Sequence, residues 1–234
     1  VSYYLGDIRD QVKALVQDDA SFITPGETDI FINAAIRQLN HDMPYDIVKD
    51  IAGSGVQDYA LPSEFEKGFS DISSVETPTG NNPPSFSDRD DDWFIYEDPT
   101  KPAGQQMRLR FKESAPSTGQ TTRVIITASH VITLTSSTLN QDGFNAVCFL
   151  AAALTLSSLA ARFNQSTDPT IAADTVDYGS RSQNYLYLAG EYRKQYKALT
   201  GKEAGEVTAG QALGEMDIIF SHGEDFLMHS ARSR

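Results

Sequence analysis

The sequence predicts an α+β fold: a helical bundle of two short N-terminal and two long C-terminal helices, a small inserted antiparallel β-sandwich or barrel, and an extended C-terminal tail. Three observations predict it. Apolar residues recur at helical spacing near both ends of the chain, β-branched and aromatic runs separated by Gly/Pro turns fill the middle, and periodicity is lost after Leu199. The expected organisation is residues 1–43 as a helical pair, 44–137 as the β domain, 138–199 as the long helices completing the bundle, and 200–234 as a docking tail.

Leu5, Ile8, Val12, Leu15 and Val16 draw one face of a first helix ending near Asp18. Thr24-Pro25-Gly26-Glu27 starts a second: Thr24 caps, Pro25 takes the first helical position, and Glu27 can close a capping box. Ile32, Ala35, Ile36 and Leu39 form its apolar face, with an end near His41. The most apolar stretch follows much later. Ala146 to Leu156, AVCFLAAALTL, carries no charge, so nearly every side of that helix must be hidden, and Asn140 or Asp142 can cap it. That core of about eleven residues is shorter than the roughly 20 a membrane span needs, so burial in a bundle is expected. In the next helix, expected from Ala172 to Leu199, Tyr178, Tyr185, Tyr192 and Leu199 recur every seven residues, with Ala189 and Tyr196 between them. A tyrosine ring buries area but keeps a hydroxyl that wants a partner, so Tyr178, Tyr185, Tyr192 and Tyr196 are expected to form a seam of the bundle or a half-wet one between subunits.

Between the helical pairs, Tyr45–Ile51 and Val56–Leu61 flank Gly53-Ser54-Gly55, a hairpin signal. Phe69–Thr77, Trp93–Tyr96, the alternating Met107–Phe111 and the β-branched Thr121–Thr135 supply further strands, five or six in all. The last two are expected to pair across Ser114–Gln120. Beyond Leu199, Thr200–Gly214 reads as a linker. It leads to two apolar clusters, Met216, Ile218, Ile219 and Phe220, then Phe226, Leu227 and Met228, which a purely disordered tail would not need. They are expected to dock on another surface, such as a second subunit, the alternative being that the tail packs back on its own body.

The 234 residues carry 19 Lys plus Arg against 32 Asp plus Glu, a net charge of −13. Eleven acids and three bases between Asp58 and Pro102 account for −8 of it. Such a chain repels phosphates, which argues against tight nucleic-acid binding. Cys148, the single cysteine, lies in the apolar helix and reads as a small buried hydrophobe. The start VSYYLGDIRD has neither a basic nor an apolar leader region, so no signal peptide is expected, and the chain is expected to be soluble and made in a cytoplasm.

Chemistry-bearing motifs fail one by one. Counted from Asp88, an EF-hand loop needs Gly at the sixth place and Glu at the twelfth, where Trp93 and Pro99 stand. Glu97 and Asp98 beside Trp93 and Tyr96 suggest a sugar cleft, but adjacent strand residues point to opposite faces. His41, His130, His222 and His229 show no metal-ligand spacing, and neither a nucleophile elbow nor a P-loop is present. No catalytic residue, metal site or cofactor is expected.

The order of elements resembles the head-to-tail adaptors, or connectors, of tailed bacteriophages, most of all the podovirus tail-tubular gatekeepers. The residues that carry the resemblance are Tyr59-Ala60-Leu61-Pro62-Ser63-Glu64-Phe65 at the start of the β insertion, Ala151-Ala152-Ala153 and Leu159-Ala160-Ala161, then Asp177, Tyr178, Ser182, Gln183, Tyr185, Ala189, Tyr192 and Tyr196. The pattern spans residues 4 to 200. It implies a virion protein of the neck, made in the host cytoplasm and assembled as a ring, commonly a dodecamer. The implied partners are the portal protein above and a neck or tail protein below, with double-stranded DNA as passing cargo and no membrane. Another tail or baseplate ring, or a carbohydrate- or receptor-binding module using Trp93, Phe94 and Tyr96, are the alternatives.

Overall fold

The computed structural model describes residues 3–17, 22–102, 104–113, 115–165 and 178–202. The chain divides into two units, Val1–Ala204 and Gly205–Arg234, and every described residue belongs to the first. Among the described residues, four helices and two antiparallel sheets make it an α+β fold.

The helices are α1 (Leu5–Val16), α2 (Pro25–Asp42), α3 (Gln141–Gln165) and α4 (Tyr178–Thr200). Helix α3 sits at the centre, packed by all three others. Ala146, Val147, Ala151, Ala152, Ala153 and Leu156 on it are wholly inaccessible, and they lie all round the helix. Alanines make this feasible, since their short side chains let neighbouring helices approach closely without losing helix propensity. Helix α1 contributes Ile8, Val12 and Val16 and α2 contributes Ile32, Ala35 and Leu39, each set one turn apart on one face. The start signal at Thr24 operates as read: Thr24 Oγ1 accepts from Glu27 N at 3.3 Å, and Glu27 Oε2 accepts from Thr24 N at 2.8 Å.

One reason given for burying α3 does not hold. Its uncharged run extends well beyond eleven residues, and Gln141–Asn164, whose most apolar 18-residue window has a mean hydropathy of 1.8, is long and apolar enough to cross a membrane. Within the fold, however, 67% of that apolar window is buried by the surrounding chain. Packing, not shortness, accounts for the helix.

Seven strands form the β unit: β1 (Tyr45–Ala52), β2 (Asp58–Ala60), β3 (Ile72–Glu76), β4 (Phe86–Ser87), β5 (Trp93–Glu97), β6 (Met107–Phe111) and β7 (Thr121–Ala128). They make a four-stranded sheet in the order β1-β7-β3-β4 and a three-stranded sheet in the order β2-β6-β5. Both sheets contribute to one core of Tyr59, Val75, Trp93, Leu109, Phe111 and Ile126 among others. Along β7 burial alternates strictly, with Thr122, Val124, Ile126 and Ala128 inward.

Two pairings differ from expectation. Strands β1 and β2 are not a hairpin, and β6 does not pair with β7. Instead β1 pairs with β7 and β2 with β6, so two connections pass side by side from one sheet to the other. Gly53 N donates to Gln120 O at 2.8 Å and Gly55 N to Pro116 O at 2.9 Å, which ties the two connections together. A Cβ on Gly53 would lie 2.4 Å from Ser117 O, so glycine serves close backbone approach here rather than a hairpin turn. The last strand also stops short. After Ala128 the chain turns through Thr133–Ser136, where Thr133 O accepts from Leu5 N at 3.1 Å and joins the loop to the start of α1.

Candidate interaction surfaces

The tyrosine seam is built by α4 against α3, α1 and α2. Tyr196 is fully buried, and its hydroxyl donates to Asp42 Oδ2 at 2.5 Å. Asp42, buried at the C-terminal end of α2, also accepts from Gln38 Nε2 at 3.0 Å and lies 3.2 Å from His41 Nδ1. Burial, then the adjacent carboxylate, pushes the Tyr196 hydroxyl far above the usual tyrosine range. Tyr192 stacks on Phe149 with centroids 5.9 Å apart and donates to Leu15 O at 3.1 Å, and burial raises its pKa. Tyr185 stacks on Phe163 at 5.5 Å. These three rings therefore face the bundle, and at Tyr196 the seam is closed rather than half-wet. The side chain of Tyr178 lies outside the described residues. So do the tail positions Met216, Ile218, Ile219, Phe220, Phe226, Leu227 and Met228. Among the described residues of α4 the large exposed apolar side chains are Leu186 and Tyr187, 50% and 71% accessible, which the seven-residue spacing does not single out.

In the β unit, Asp88–Asp92 is a tight acidic turn: Asp88 N donates to Asp92 Oδ2 at 2.8 Å and Asp92 N to Asp88 O at 3.0 Å. Arg89 donates to Asp71 Oδ2 at 2.7 Å and sits 5.8 Å from the centre of the Trp93 ring. Asp88, Asp90 and Asp91 are exposed. Among the described residues no group of three or more His, Cys, Asp or Glu is arranged to hold a metal ion. Glu97 is engaged by Lys67 at 2.6 Å and Asp98 by Thr100 Oγ1 at 2.6 Å, so each carboxylate has its own partner.

Trp93 is 2% accessible and its indole donates to Ser87 O, which removes it from any aromatic surface patch. Phe94 and Tyr96 point the other way. Register places Phe94 opposite Arg110 opposite Asp58, and Tyr96 opposite Arg108 opposite Ala60, all on the outward face of the three-stranded sheet. The alternation in Met107–Phe111 was a sufficient signal that both arginines share a face; which aromatics they meet required the register.

The remaining features are structural. Burial pushes the Cys148 thiol up to about 12, well outside the range of a reactive cysteine. His130 Nε2 donates to Met43 O at 3.0 Å and its backbone N donates to Asn40 Oδ1 at 2.9 Å, so this ring links the end of α2 to the exit of β7. A cleft of about 370 Å³ opens between α1 and α2, with Val12, Val16, Ile23 and Thr155 along it. Thr155 already donates to Ala151 O and Arg9 grips Asp29 through two bonds of 2.7 and 2.8 Å, while Asp10, Lys13, Thr24 and Thr28 also line the cleft.

No protein-family model matches the chain, and no curated protein matches it. Among solved structures, it is similar to a chain in the neck of native GTA particle computed with C12 symmetry. The identity is 13%, the match covers 79% of this chain and 92% of that one, and the TM-score of 0.25 is too low for the likeness to carry an argument.

Proposed function

We propose that the protein is a structural connector of a tailed-phage-type particle. It forms a ring beneath the portal, joins it to the next neck or tail component, and lets double-stranded DNA pass as cargo. In this reading it carries no catalytic activity and needs no cofactor. The observation that carries it is the interleaved build: helices from both ends of the chain close one core around α3, and the β unit hangs between α2 and α3. That is the element order in which the sequence resembles head-to-tail adaptors. The net charge of −13 is compatible with a lumen wall past which DNA slides, because phosphate finds little to grip.

The test is the mass of the purified full chain in solution, alone and mixed with portal rings. A defined ring, or a monomer that joins portal at fixed stoichiometry, is expected. A chain that stays monomeric and ignores portal rings would contradict the proposal.

A further inference from the structure

The outward face of β2-β6-β5 carries two arginines, Arg108 and Arg110, within the acidic β unit. Arg110 keeps 43% of its side chain accessible, and its Nε stands 3.8 Å from Asp58 Oδ1, beyond hydrogen-bond range. Asp58 Oδ1 instead accepts from Tyr96 Oη at 3.1 Å. Arg108 is held by its Nη2 donating to Asp58 O at 3.0 Å, while its Nε is shielded from water and has no hydrogen-bond partner. Leaving a shielded guanidinium donor unpaired is unfavourable, and a small tilt toward an arriving acceptor would relieve it. Beside the arginines, the half-buried rings of Phe94 and Tyr96 lie 6.0 Å apart, tilted 47° to each other, and offer apolar ring surface.

We propose that this face receives the acidic loop Asp88–Asp92 of a second copy of the chain. Arg110 and Arg108 take its carboxylates, and Phe94 and Tyr96 pack against its stem. Charge complementarity selects the occupant. Asp88, Asp90 and Asp91 are exposed; Arg89 is committed to Asp71 and Lys112 Nζ donates to Asp90 O, so the loop's four aspartates still outnumber the two cations at it. A nucleic-acid strand fits less well. Two arginines next to Asp58 leave about one positive charge, on a chain of net −13, for a polyanion that needs many. The contact pairs two different patches, which is compatible with the head-to-tail, heterologous geometry that closes rings. It rests on the connector reading and names one of its subunit contacts.

The experiment uses the full chain with Arg110→Glu, Asp91→Lys and the two combined. Self-association is measured by sedimentation across concentration, and on portal rings if the chain alone is monomeric. Asp91 is exposed and Arg110 keeps 43% of its side chain accessible, so all variants should fold, with Arg110→Glu melting slightly below the parent because its carboxylate faces Asp58. Each single change is expected to weaken association about tenfold or more, and the charge-swapped double variant to recover most of the loss. Singles without effect, or a double no better than either single, would overturn the contact while leaving the connector reading intact. A chain that associates neither with itself nor with portal would overturn both. Loss of single-stranded oligonucleotide binding in Arg110→Glu, with association unchanged, would reassign the face to nucleic acid.

Discussion

The helical bundle and the β unit bury their cores in different ways. Around α3 the contact is made by small side chains packed on all sides, and the buried polar groups are few: Asp42 with Tyr196, Thr155, and Ser182 donating to Ala160 O at 3.1 Å. The β unit encloses larger rings, Trp93, Phe111 and Tyr59, between two sheets, and its outside is laced with ion pairs. Arg123 bonds Asp50 at 2.9 Å and approaches Glu76 at 3.7 Å, Lys49 meets Glu64, and Lys67 meets Glu97. Exposed pairs of this kind contribute roughly 0–1 kcal/mol each. The bundle's sequence is therefore constrained by close packing, whereas the outer faces of the β unit can be tuned to a neighbour at small cost to the fold.

The largest expected effects are core truncations. Trp93→Ala should cost about 3–5 kcal/mol and Leu156→Ala about 2–5 kcal/mol, read as shifts in denaturant midpoint. If either were silent, the corresponding core would not be closed as described. Tyr196→Phe comes next. It removes a donor from the buried Asp42 carboxylate, so a loss of about 1–3 kcal/mol is expected by chemical denaturation. A neutral result would mean that Gln38 and His41 suffice to hold Asp42.

Gly53→Ala should cost a comparable 1–3 kcal/mol or so, because its Cβ would press on the Ser117 and Pro116 carbonyls rather than on a yielding side chain. A stabilised variant would argue for the hairpin that the sequence suggests. The smallest effect should come from Arg123→Ala, under about 1 kcal/mol despite its two carboxylate partners and shrinking further in high salt. A larger loss in thermal unfolding would contradict the view that the outer face is loosely constrained.

Much of the bundle was legible because helical periodicity states both the element and its buried face. Ile8, Val12 and Val16, the Thr24–Glu27 box and the all-round apolar α3 needed nothing from the rest of the chain. Strands were harder. A period of two shows which side chains face inward, as in Met107–Phe111, but not which strand lies alongside. Gly53-Ser54-Gly55 carries the composition of a turn, yet the glycine is there because another backbone passes close by. The same limit hid the candidate surface: Arg108 and Arg110 meet Phe94 and Tyr96 only through the β5–β6 register. Conversely, a tyrosine every seven residues marks a seam without saying what fills it, and the Asp42–Tyr196 bond spans 154 positions of sequence.

The most direct test of this division of labour is amide hydrogen exchange on the full chain, free and assembled with portal rings. The amides of α3 between Ala146 and Leu159 should already exchange slowly in the free protein and change little. Those of β2, β5 and β6 should slow on assembly. An α3 that exchanges as fast as the β unit in the free chain, or an assembly that protects none of these strands, would contradict a rigid bundle carrying a contact-making β unit.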